Sequence, residues 1–66
     1  MTWRLLTAEE AAELLGVTAW WLLEEARAER IPHVRLGPRT IRFEGEELKA
    51  WADSRKRGPS RLHEAA

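Results

Sequence analysis

Residues Thr7 to Pro32 read TAEEAAELLGVTAWWLLEEARAERIP, and this stretch decides the fold. Thr7-Ala8-Glu9-Glu10 has the form of a capping box, in which the Thr7 hydroxyl accepts from the Glu10 amide and the Glu10 carboxylate reaches back. Leu6 and Ala11 have the spacing of a hydrophobic staple across that cap. Ala11, Ala12, Leu14 and Leu15 supply an apolar stripe, with Glu9, Glu10 and Glu13 toward water. Gly16 suits the left-handed position that closes a helix. Thr18 then suits the N-cap of a second helix beginning at Ala19. The stretch therefore predicts two short helices joined by a tight turn at Leu15-Gly16-Val17-Thr18.

The second helix has an unusual surface. At 100° per residue, Ala19, Leu22 and Ala26 fall on one side, with Glu25 and Glu29 at its edge. Trp20, Leu23, Glu24 and Arg27 fall on the other, with Trp21 on a flank. The inward stripe is thin and the outward face is apolar. Either the outward residues meet a partner, or one tryptophan folds back over a small core. Pro32 ends the helix by disfavouring helical geometry at Ile31.

Outward from this pair, Met1 to Leu6 is an apolar lead-in whose Trp3, Leu5 and Leu6 can pack on the first helix. His33-Val34-Arg35-Leu36 and Thr40-Ile41-Arg42-Phe43 alternate around Gly37-Pro38-Arg39, a hairpin signature. Strict alternation gives each strand one apolar side, Val34 with Leu36 and Ile41 with Phe43. It leaves His33, Arg35, Arg39 and Arg42 on the polar side or the turn. Glu44-Gly45-Glu46-Glu47 opens a third helix with acidic groups at its positive end. Leu48, Trp51 and Ala52 turn that helix inward. From Ser54 the sequence SRKRGPSRLHEAA loses periodicity, so residues 1–54 read as one domain and residues 55–66 as a basic flexible tail. The fold class expected is mainly α with a small β-hairpin, in the order α-α-β-β-α.

Sixty-six residues without cysteine must rely on a small core, with neither a disulfide nor a thiolate metal site. No apolar run reaches membrane-spanning length and no signal-peptide hydrophobic region opens the chain, so a cytoplasmic protein is expected. The formal net charge of zero conceals a segregated distribution. Residues 1–26 carry Arg4 against Glu9, Glu10, Glu13, Glu24 and Glu25. Residues 27–42 carry Arg27, Arg30, Arg35, Arg39 and Arg42 against Glu29 alone. Residues 43–54 turn acidic again before Arg55, Lys56, Arg57 and Arg61. Such blocks make either a cationic face for nucleic acid or ordinary solvated surface.

Two helices in this arrangement commonly place the second in a DNA groove. The stretch LLTAEEAAELLGVT, then a helix, IPHVRLGPRTIRF and EELKAW, resembles the excisionase-like DNA-binding domains of the MerR-like winged-helix group. The resemblance covers about residues 5–52. It implies a winged helix-turn-helix that lays its second helix in the major groove of duplex DNA and its hairpin, the wing, along the backbone or minor groove. Many members are excisionases, also called recombination directionality factors. They bind attachment sites cooperatively, bend DNA and bias an integrase toward excision. Others are small transcriptional regulators.

Carried over by position, the recognition helix is Thr18, Ala19, Trp20, Trp21, Leu23, Glu24 and Arg27, and the wing residues are Arg35, Arg39, Thr40 and Arg42. Wing arginines suit phosphate contact or a narrow minor groove. The chain departs from the pattern where many relatives carry Arg, Ser or Thr at the positions of Ala19, Trp20 and Trp21, with a basic or aromatic residue near Glu24. Trp20 is expected to meet a thymine methyl or sugar edges, and Glu24 to accept from cytosine N4. The partners implied are double-stranded DNA, an integrase and further copies of the chain on DNA. A protein-interaction module that reads no DNA is the contrasting reading, motivated by neutral charge and the Trp-bearing helix. No catalysis, metal or cofactor is expected. His33 and His63 lack placed partners, the paired glutamates diverge on their helices, and no Gly-rich phosphate loop is present.

Overall fold

A computed structural model describes residues 3–58. Helix α1 (Ala8–Leu15) starts where its cap dictates. Thr7 Oγ1 accepts from the Glu10 amide at 3.2 Å, and Glu10 Oε1 accepts from the Thr7 amide at 2.9 Å. That backbone hydrogen bond, helped by Arg4 at 2.9 Å, holds the Glu10 carboxyl below its usual range. Gly16 ends the helix in the left-handed conformation, φ 76°.

Helix α2 (Ala19–Arg27) is capped by Thr18, whose hydroxyl accepts from the Trp21 amide at 3.0 Å. It stops short of Pro32, because Glu29 itself turns left-handed at φ 59° while the Arg30 amide bonds back to the Glu25 carbonyl. A β-hairpin follows, with β1 (Val34–Gly37) antiparallel to β2 (Thr40–Arg42). Helix α3 (Gly45–Ser54) is the last described element, its N-cap Glu44 making no side-chain cap bond. Among the described residues, three helices and a two-stranded hairpin in the order α-α-β-β-α form a winged helix-turn-helix.

The core lies where α1, α2 and the hairpin meet. It contains Ala8, Ala11, Ala12, Leu22, Ala26, Ile31, Ile41, Phe43 and Leu48, with Leu6, Leu15, Ala19, Leu23 and Trp51 packed around them. Alanines let α1 approach α2 closely, and Phe43, Leu22 and Leu48 are the largest fully buried side chains. Leu6 and Phe43 exchange both backbone hydrogen bonds, at 2.8 and 2.9 Å, so the lead-in pairs with the hairpin base as well as packing on α1. The Trp51 indole N–H donates to the Arg30 carbonyl at 3.1 Å, tying α3 to the turn after α2.

Three expectations need correction. Leu14 is 67% exposed, because Ala8, Ala11, Ala12 and Leu15 define the buried face and Leu14 lies roughly 110° from its centre. Trp3 is 69% exposed, so it is not buried against α1, although it borders a shallow hollow with Leu14. Leu36 is exposed too, and Val34 does not share a buried side with it. The register runs Val34 to Arg42, Arg35 to Ile41 and Gly37 to Thr40, so Leu36 is the extra residue of a β-bulge. Of the proposed tail, residues 59–66 lie outside the described residues. Arg55 caps α3 and sits 5.0 Å over the Trp51 ring, while Lys56 lies 3.6 Å from Asp53.

Candidate nucleic-acid interface

Burial of Leu22 and Ala26 fixes the rotation of α2, and that rotation decides which side chains remain for a ligand. Trp20 stands out at 71% exposure, on the first turn. Trp21 is 37% exposed and Val17, in the turn before α2, is 36% exposed, so a compact apolar surface surrounds the capped helix start. Thr18 is exposed, with its hydroxyl engaged in the cap, and Ala19 is half-buried against the core. Of the two outcomes left open for the tryptophans, Trp20 does not fold back over the core.

Leu23 departs from its expected outward position. It is half-buried, packs against the core and lines a groove of about 390 Å³ between α2 and the hairpin. Arg27, Arg35, Pro38, Arg39 and Ile41 complete the lining. Arg35 reaches this groove because it pairs with Ile41, and cross-strand partners share a face of the sheet. Arg42 pairs with Val34 and so belongs to the other face, where its guanidinium donates to the Ile41 carbonyl at 3.0 Å. The wing arginines are therefore divided between the two faces. Thr40 is half-buried opposite Gly37.

Ion pairing reduces the cationic block further. Arg27 donates to Glu24 at 3.0 Å, one turn away on the same helix, so the Glu24 carboxylate does not stand free. Arg30 clasps Glu25 through two bonds of 3.0 Å, which holds the Glu25 carboxyl below its usual range and raises Arg30. Among the described residues, Arg35 and Arg39 make no ion pair with a carboxylate. A groove lined by three arginines and no acidic residue suits a polyanion. Sequence reasoning missed Pro38 and Ile41 as groove walls. The tip position of Pro38 was legible, but the direction of Ile41 depended on the register.

Among the described residues, no group of three His, Cys, Asp or Glu side chains is placed to hold a metal ion. His33 Nδ1 lies 2.9 Å from the Ile31 carbonyl oxygen, a local turn contact. No described helix is long and apolar enough to cross a membrane.

A helix-turn-helix domain family matches residues 5–56, from the lead-in through α3. The chain belongs to this family. The domain is a DNA-binding one found in excisionase-like proteins, and DNA is its partner. No curated protein and no solved structure matched the chain.

Proposed function

We propose that this protein is an excisionase, a recombination directionality factor of the MerR-like winged-helix group. It binds attachment-site DNA sequence-specifically, bends it and biases an integrase toward excision without catalysing a step itself. The observation that carries the DNA geometry is the convergence of Arg27, Arg35 and Arg39 on one groove beside the exposed first turn of α2. In this arrangement α2 enters the major groove with Thr18, Ala19, Trp20 and Trp21 leading. The hairpin follows the adjacent backbone with Arg35 and Arg39, while Arg42 stands on its other face. Trp20 offers apolar surface to a thymine methyl, a contact that fixes base identity less tightly than bidentate arginine. Few phosphate contacts per copy make single-site binding weak and salt-sensitive. Cooperative loading and contact with the integrase compensate for that weakness.

A mobility-shift titration on an attachment-site duplex tests the reading. The wild-type complex is expected to weaken steeply with salt, and Arg35→Gln with Arg39→Gln to lower the salt slope by roughly two. Absence of a shifted species at low salt would sink it. The alternative within the same fold is a small transcriptional regulator, favoured where no integrase gene lies adjacent.

A further inference from the structure

Glu24 is an odd residue to find at a polyanion-binding surface. It stands on the face of α2 beside the groove, and its carboxylate takes the guanidinium of Arg27 at 3.0 Å. Both side chains are well exposed, 56% for Arg27 and 47% for Glu24, so solvent screens the pair and little free energy separates its closed and open forms. Arg27 lines the groove with Arg35 and Arg39, whereas Glu24 does not. One guanidinium thus has two possible anions: the carboxylate on its own helix, and whatever fills the groove.

We propose that the groove between α2 and the hairpin seats the phosphate backbone of the DNA, with one phosphate taken by each of Arg27, Arg35 and Arg39, and that Glu24 is the internal competitor that the Arg27-bound phosphate displaces. The inference rests on the DNA-binding reading above and assigns a subsite and a tuning residue within it. The competition weakens binding to any duplex, because every sequence presents the same phosphates. Discrimination then depends more heavily on the base-edge contacts of the first turn of α2. Leu23, Pro38 and Ile41 form the apolar walls that keep the phosphates and the guanidiniums in close contact.

The test measures binding of a fluorescein-labelled random-sequence duplex over a salt series, by anisotropy, for four chains. These are wild type, Glu24→Gln, Arg27→Gln and the double variant, each checked for an unchanged thermal unfolding profile. Glu24→Gln is expected to tighten binding roughly two- to fivefold. Arg27→Gln is expected to weaken it and lower the salt slope by about 0.9. In the Arg27→Gln background, the Glu24→Gln gain should shrink to less than about half, since the two residues act on one contact. An equal gain in both backgrounds overturns the competitor role, because plain repulsion between carboxylate and phosphate does not need Arg27. An unchanged salt slope in Arg27→Gln overturns the phosphate seat. Failure of the wild-type chain to bind the duplex at low salt overturns the DNA reading, and this inference with it.

Discussion

Gly16 and Glu29 occupy the same kind of backbone position with opposite suitability for it. Both have positive φ, 76° and 59°, at the turn that follows a helix. Gly16 has no Cβ to strain, and nothing within 4 Å would obstruct one, so conformation alone sets the cost of a side chain there. Gly16→Ala is expected to lower stability by about 1 kcal/mol, read from denaturant unfolding. Glu29 carries that strain in the native chain. Glu29→Gly is expected to raise stability by a comparable amount of up to ~1 kcal/mol. The Gly16 turn was legible because glycine follows an amphipathic run. The Glu29 turn was not, because glutamate gives no local signal for a left-handed residue and Pro32 offered a later stop.

At the scale of elements, α1 shows what sequence specifies well. Its cap needs only residues three apart, so Thr7 and Glu10 announce the helix start without tertiary information. The same cap carries a pH dependence. The Thr7 amide bond and Arg4 depress the Glu10 carboxyl in the folded state, so its contribution is present above the ordinary carboxylate range. The contribution disappears as pH falls through the lowered folded value. Urea midpoints of wild type and Glu10→Gln should therefore differ at neutral pH and converge on acidification; parallel curves would contradict the assignment. The hairpin shows the opposite limit. Its two alternating runs were readable, yet one bulged residue, Leu36, broke the parity that assigned their faces. A bulge is decided by how the strands twist onto the core, and VRLG looks like regular alternation until its partner strand is known.

For the whole molecule, the zero net charge hides the segregation that matters. Glu9, Glu10 and Glu13 stand on α1 and Glu44, Glu46 and Glu47 at the start of α3, and none of them lines the arginine groove. Charge counting along the chain located the basic block. It overstated the available positive charge, because Arg30 and Arg27 are matched to Glu25 and Glu24 within α2 and the turn after it. The Arg27–Glu24 pair follows from helical spacing, whereas only the three-dimensional path brings Arg27 to one groove with Arg35 and Arg39, which make no ion pair among the described residues. The arginines gathered at one groove bias the approach of a polyanion toward that face at low ionic strength, and the bias fades as salt screens them.

The four tryptophans, with one phenylalanine and no tyrosine, also make the chain its own optical probe. Trp51 donates to the Arg30 carbonyl and lies under Arg55, so its emission reports the seating of α3. Trp20, at 71% exposure, emits from water in the free protein and changes surroundings only when something covers the start of α2. Adding duplex DNA should alter the steady-state emission of wild type and leave most of that response intact in Trp3→Phe. Trp20→Phe should abolish the larger part of it. A response that survives Trp20→Phe combined with Trp21→Phe undiminished would place the nucleic acid away from the helix start, so the light from these two indoles locates the surface that DNA covers.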